Sequence, residues 1–307
     1  MLLVVLSLNF FLPRWMPGDQ VKYILGKDVT SISAEMRAEI EEEYGLNDPL
    51  GVQYVNYLKG IFTGDFGYSY QKDRPVMELI AERLPWTVAL SLVNVVLTTI
   101  IGSILGVIAA WNRGKKVDVI LGSVMMFLKS LPSFWMGMIL IAIFGSTLGW
   151  LPTFGARSMW ANYTGLAWLT DVIKHMILPS ATMLVLSLSR TFLTMRYSMI
   201  DTLSEDYIMM ARIKGVPENK IRYRHAMRNA LIPVSTAVMM DLGYVVSGAT
   251  IIETVFSYPG TGRLRFEAVT ARDFPLIQGC FLISTICVLV ATIVADLIYP
   301  LLDPKVV

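Results

Sequence analysis

Between Trp86 and Ala110 the chain runs for 25 residues without a charged side chain. As an α-helix that run is about 37 Å long, enough to cross a hydrocarbon core of about 30 Å with some tilt. Four more runs are long and apolar enough by the same length test, each with one or two charged residues: Val119 to about Gly145, His175 to about Ile200, Asn229 to Ile252, and Pro275 to about Leu297. Composition agrees, because 54% hydrophobic and 16% charged residues over 307 positions, with mean hydropathy +0.56, lie outside the range of soluble domains. Met1 to Leu12 is apolar but too short to span, and it lacks the basic start and small-residue cleavage site of a signal peptide. It reads as the end of a first transmembrane helix that begins before this chain. The expectation is an all-α integral membrane protein with six transmembrane helices, the first incomplete.

Basic residues in short loops set orientation. Arg113, Lys115 and Lys116 crowd residues 111–118, and Arg212, Lys214, Lys220, Arg222, Arg224 and Arg228 crowd residues 205–228, so both loops are expected in the cytoplasm. With six spans, both termini fall on that side. Residues 13–85 then form an external helical segment between the first-helix remainder, 1–12, and a five-helix core, 86–307, whose cytoplasmic loop spans 201–228. Within it SAEMRAEIEEEYGL predicts an amphipathic helix capped by Ser33, YVNYLKGIF a second, and GDFGYSY a glycine-punctuated turn. The segment either caps the outer face or touches an external partner, or is a connector packed on the membrane surface.

The missing motifs narrow the chemistry. There is no G-x-x-x-x-G-K-[ST] phosphate cradle, no H-E-x-x-H helix and no metal-spaced Cys or His cluster. Cys280 and Cys287 read as buried free thiols. A formal net charge of +2, with the basic excess following topology, does not describe a nucleic-acid reader.

The stretch EDYIMMARIKGVPENKIRYRHAMRNALIP, Glu205 to Pro233, is unusually polar for its surroundings. Glu205 to Lys214 predicts a short helix with acids first and bases last, matching the macrodipole, and Met209, Ile213 and Val216 recur at i, i+4, i+7. Gly215 stops it, and Pro217 suits the first position of a second helix whose Lys220, Arg224 and Arg228 form a basic stripe. Such an element either presents an apolar knob and a charged collar to a soluble partner, or lies as a basic loop on lipid headgroups.

These residues resemble the cytoplasmic coupling loop of ABC importer permeases, specifically the dipeptide, oligopeptide and nickel type. ARIKG followed by RHAMRNALIP carries the likeness; of the wider family's Glu-Ala-Ala-x-x-x-Gly signature only Ala211 and Gly215 remain, with Met209 in the Glu position. The resemblance continues through PGD (17–19), LNDPLGVQYVNYL (46–58), GDFGYSY (64–70), RPVMELIAERLPWT (74–87), SLPSFWMG (130–137), ETVFSYPGTG (253–262), ARDFPLIQG (271–279) and LLDP (301–304). It implies a type I ABC importer permease fold and a non-catalytic pathway subunit in the prokaryotic inner membrane. The implied partners are a homologous second permease, two cytoplasmic ATPase subunits that carry ATP and Mg, an extracytoplasmic solute-binding protein and membrane lipid. No cofactor is implied on this chain. The implied ATPase-coupling residues are Asp206, Tyr207, Met209, Met210, Ala211, Arg212, Lys214, Gly215, Val216, Pro217, Arg224, His225 and Arg228. Peptides are the implied solute, with nickel chelates and other small solutes as alternatives; an ATP-independent secondary transporter is the rival class.

Polar residues inside the runs are the pathway candidates: Asp241, Asn94 and Ser130, with Ser187 and Ser189 as further hydrogen-bonding groups. Asp241 falls near the middle of its predicted span and either lines the pathway or pairs with Lys129 or Arg190. Asn94 and the serines offer bonds either to a solute or between helices. Arg196 and Asp296 fall near span ends, where long side chains reach toward water. Tyr258, Pro259, Gly260 and Gly262 have the chemistry of a tight turn. That turn is either plain surface or, by the resemblance, folds back near the docking site of the binding protein.

Overall fold

In a computed structural model the chain is described over residues 2–15, 21, 33–43, 45–69, 71–245 and 249–302. The PGD motif, Tyr70 and the end of LLDP therefore lie outside the described residues, as does the side chain of Asp296. The described chain is largely helical and divides into two compact units: 1–87, 246–250 and 259–289 form one, and 88–245, 251–258 and 290–307 the other.

The first unit begins with α1 (Leu2–Trp15), α2 (Ala34–Glu43) and α3 (Leu50–Thr63). The Ser33 hydroxyl accepts the Met36 N–H at 3.1 Å, so the predicted cap is present. Phe10 of α1 is fully buried with its ring centroid 5.1 and 5.4 Å from those of Tyr54 and Tyr57 of α3. The GDFGYSY punctuation leads into a hairpin that the all-helical expectation did not contain: β1 (Tyr68–Ser69) pairs antiparallel with β2 (Arg74–Pro75). The hairpin is tied to α12 (Thr261–Ala271) by Lys72 Nζ on Glu267 at 2.7 Å, and to the start of α13 (Phe274–Leu302) by the Ser69 hydroxyl donating to the buried Asp273. Val76, Leu79, Ile80, Leu264, Ala268, Leu276 and Cys280 make the core of this unit.

The long helix α4 (Val76–Trp111) starts ten residues before the charge-free run and passes through Pro85, so the boundary drawn at 85/86 falls inside one continuous helix. Next come α5 (Lys116–Ser130), α6 (Ser133–Leu140) running into a π-helical turn at Ile141–Thr147, and α7 (Gly165–Leu203). The single span expected from Val119 to Gly145 is instead a helix pair bent by 100°. Leu131, held extended at φ −79 and ψ 133 ahead of Pro132, explains the break, since a residue before proline avoids helical backbone. By length and apolarity α4, α7 and α13 can each cross a membrane, and the bent pair would be a fourth. The N-terminal helix α1, 14 residues, and α10 (Met227–Tyr244), 18 residues, do not meet that standard in the described residues.

In the second unit α7 is the spine, packed by α5, α6 and α10. Close approach to α4 depends on Gly102 and Gly106: a Cβ there would sit 2.9 Å from Thr191 Cβ and 2.7 Å from Met195 Cβ. The pair is a small-xxx-small seam, GSILG, which lets two backbones meet where lipid provides no hydrophobic drive. Asp118 at the start of α5 takes a two-pronged bond from Arg196, 2.6 Å to Nε and 2.8 Å to Nη2, and also accepts the Gly114 N–H. Arg196 was expected to reach for water; it is instead mostly buried in this ion pair.

The candidate coupling loop and the polar residues of the helix bundle

The loop after α7 folds as α8 (Asp206–Ile213), a glycine turn and a second helix that starts at α9 (Glu218–Lys220) and continues through a π turn at Ile221–Ala226 into α10. Asp206 lies in the first turn of α8 and Arg212 in the last, the arrangement the macrodipole favours. Gly215 has φ +69, its N–H bonds Arg212 O at 2.9 Å, and the Val216 N–H reaches back to Ala211 O at 3.1 Å. That paired return is the Schellman stop, and it requires the left-handed conformation that glycine adopts without strain. Pro217 sits one position earlier than expected, as the residue capping α9 rather than its first member.

Which face of α8 turns inward corrects the apolar pattern. Ile208 and Ala211 are the buried pair, three apart, whereas Met209, Met210 and Ile213 are 65, 52 and 70% exposed. The buried pair joins a core with Val107, Ala110, Met195, Met199 and Ile221, with Val216 packed beside it. Val216 therefore belongs to the anchored side and not with Met209 and Ile213. The π turn matters for the same core, because it places Ile221 and Ala226, five apart, on the buried face, followed by Ala230 and Val234 at helical spacing. Around the rim, Arg222 lies 4.3 Å and Arg212 6.0 Å from the Trp111 ring centroid, Arg212 meets Glu218 at 3.7 Å across the turn, and Asn229 donates to the Tyr207 hydroxyl at 2.7 Å. Lys214, Arg224 and Arg228 are exposed and His225 is half-buried. The loop is thus rigidly footed on α4 and α7 while three large apolar side chains and a basic collar stand free in this chain.

Among the pathway candidates, Asp241 pairs with Arg190 of α7, not with Lys129. Because α10 ends at Tyr244, Asp241 occupies the last turn and not the middle of its helix, an unfavourable end for an acid that the guanidinium offsets. Asn94 Oδ1 accepts from Thr98 at 3.4 Å and Ser187 at 3.3 Å, a bridge between α4 and α7. Ser189 bonds Met125 O at 2.6 Å, while among the described residues Ser130 bonds within its own helix, at Phe127 O. Tyr258, expected in a tight external turn, is fully buried; Gly260 and Gly262 are buried too, and Pro259 is half-buried. They hold their turn from inside. The described residues contain no group of three or more His, Cys, Asp or Glu suited to a metal ion.

Comparison with known proteins assigns the class. The family model described as binding-protein-dependent transport system inner membrane component matches residues 102–307, and its N-terminal counterpart matches residues 1–91. The chain belongs to that family: it is a multi-pass inner-membrane permease subunit of an ABC import system, a transport component whose ATP hydrolysis is performed by separate subunits. Relatives include the oligopeptide transport system permease protein AppB of Bacillus subtilis (strain 168), 35% identical over 306 residues, covering 99% of this chain and 95% of that protein. The dipeptide transport system permease protein DppB of Alkalihalophilus pseudofirmus is 36% identical, covering 97% and 93%. The glutathione transport system permease protein GsiC of Salmonella typhimurium is 35% identical, covering 99% and 94%. Among solved structures, a chain of the inward-facing MetNI methionine ABC transporter aligns with TM-score 0.56 at 15% identity, over 74% of this chain and 97% of that one, a likeness of fold.

Proposed function

We propose that this permease conducts di- or oligopeptides and couples their passage to ATP through α8. The observation that carries the coupling is the anchored helix with an exposed apolar crown: Ile208 and Ala211 fix it, and more than half the surface of Met209, Met210 and Ile213 is left open by the described residues. A foot that rigid transmits motion, and a crown that apolar favours a protein groove over water. Asp206 to Gly215 would seat in an ATPase cleft, Tyr207, Arg212, Lys214, Val216 and Pro217 would shape its edges, and Arg224, His225 and Arg228 would flank it. Closure of two ATPase subunits would then bias the bundle between inward- and outward-open states.

The peptide reading draws on the relatives, which are named for oligopeptide, dipeptide and glutathione transport. A homologous second permease completes the pathway, Asn94, Ser130 and Asp241 line it, and both termini face the cytoplasm. An external binding protein delivers the solute to the outer segment of residues 13–85, beside the turn that Tyr258, Pro259, Gly260 and Gly262 form. Mass spectrometry of what co-purifies with the chain from its native membrane in mild detergent tests the assembly. A second permease with P-loop ATPases is expected; the chain alone, with uptake insensitive to ATP depletion, would overturn it.

A further inference from the structure

The ion pair between Arg190 and Asp241 is more open than a structural bridge needs to be. The Arg190 side chain is 60% exposed and that of Asp241 25% exposed. Counting along the helices, Arg190 lies 13 residues before Leu203 on α7 and Asp241 14 residues after Met227 on α10, so each stands about 20 Å along its helix from the residue that borders the basic loop. Both fall inside runs that the sequence assigns to the membrane, His175 to about Ile200 and Asn229 to Ile252. Charges at such depth avoid lipid and face the bundle interior or a water-filled cavity.

One turn away on α7, Ser187 shares the face of Arg190 and belongs to the triangle with Thr98 (3.0 Å) and Asn94 (3.3 Å). Both bonds reach Asn94 through Oδ1, which leaves its amide hydrogens for another acceptor. The bundle therefore carries, at one level, a guanidinium, a carboxylate and a set of neutral hydrogen-bonding groups.

We propose that Arg190 and Asp241 form a binding station for a zwitterionic solute, Arg190 taking its carboxylate and Asp241 its ammonium, with Asn94, Thr98 and Ser187 serving neutral amides. The assignment rests on the peptide-permease reading above. In the empty pathway the two side chains neutralise each other. When a zwitterion arrives, each exchanges its partner for the matching end of the solute, so no uncompensated charge is left at membrane depth at any stage. The planar guanidinium fork suits a carboxylate held by two parallel bonds, which gives the station a preference for a free carboxyl end.

The test uses the complete transporter, with its second permease, ATPases and binding protein, in proteoliposomes. ATP-dependent uptake of trialanine is compared with that of trialanine amide, which keeps the ammonium and lacks the carboxylate. Wild type is expected to favour the free acid, and Arg190→Gln to lower the acid-to-amide ratio at least fivefold. If that single variant fails to insert, Arg190→Gln with Asp241→Asn leaves no unpaired charge and is expected to show the same loss of preference. A wild type indifferent to the amide, an unchanged ratio in the neutral variants, or a charge swap, Arg190→Asp with Asp241→Arg, that restores wild-type uptake and ratio would each overturn the proposal. Absence of ATP-dependent trialanine uptake by wild type would overturn the peptide reading itself, and this station with it; an unchanged ratio on normal uptake overturns the station alone.

Discussion

Two glycine-bearing turns of this chain use their large side chains in opposite ways. Around Gly215 the helix buries one pair, Ile208 and Ala211, and leaves Met209, Met210 and Ile213 largely outside. Around Gly260 the chain fully buries a large side chain, Tyr258, with Gly260, Thr261 and Gly262 next to it in sequence also buried. One turn is held by the minimum and displays its bulk; the other is held by its bulk and displays little. The difference separates a surface that another protein can cover from a joint that keeps this chain in shape, although both read as glycine-proline punctuation in the sequence.

Substitution should separate the two turns by effect. Tyr258→Ala is expected to cost about 3–5 kcal/mol, as for other large buried aromatics, and to appear as a lowered melting temperature and poor yield in detergent. A variant as stable as wild type would remove the distinction. Next in size is Gly215→Val. A Cβ there meets nothing within 4 Å, so its cost is the left-handed backbone alone, about 1–2 kcal/mol. The protein should insert while ATP hydrolysis by the complex is uncoupled from uptake, and Gly215→Asn, which tolerates that conformation, should stay coupled. Unchanged uptake in Gly215→Val would break the coupling assignment. Met209→Ser with Ile213→Ser should shift stability by less than about 0.5 kcal/mol, as for exposed sites, yet abolish transport.

The smallest effect concerns pH in the unit that holds the hairpin. Burial raises the Asp273 carboxyl above its ordinary 3.8, against the pull of the Ser69 hydroxyl, the Leu276 N–H and the Lys72 charge. The native state then keeps this proton to higher pH than the unfolded chain, so the contribution is full below 3.8 and is lost as pH rises through the native value. Glu267 runs the other way: burial raises it, but the bond and charge of Lys72, with Arg263 and Arg83, hold it below its ordinary 4.5, so its contribution is lost as pH falls through its native value. Asp273→Asn should therefore gain on wild type in Tm as pH rises from about 4 to about 7. Parallel profiles would exclude Asp273 as the source.

Much of the bundle was legible because long apolar runs and glycine stops are local signals. The Ser33 cap, the α8 helix and the positive φ of Gly215 all follow from residues within one turn of each other. What escaped was either masked by apolarity or distant in sequence. The bend at Leu131 lies inside a run long and apolar enough to read as one span, where Lys129, Ser130 and Pro132 are the local marks of a break. The inward face of α8 could not be chosen from periodicity, because apolar residues occur on both of its sides, and a π turn shifts the register of everything after Lys220. Asp118 and Arg196 are 78 positions apart, and Asp241 could be joined to Arg190 rather than Lys129 only by the packing of α10 along α7. The GSILG seam was readable in principle, since small residues four apart in an apolar helix are a packing signal.

Site-specific photo-crosslinking from position 213 in the intact complex reports whether α8 seats in an ATPase subunit. With a photoreactive residue replacing Ile213, the account predicts a single major adduct to a P-loop ATPase subunit, strengthened when ATP closes the ATPase dimer. Adducts to lipid alone, with none to an ATPase in any nucleotide state, would contradict it and return residues 205–217 to a basic loop resting on the membrane.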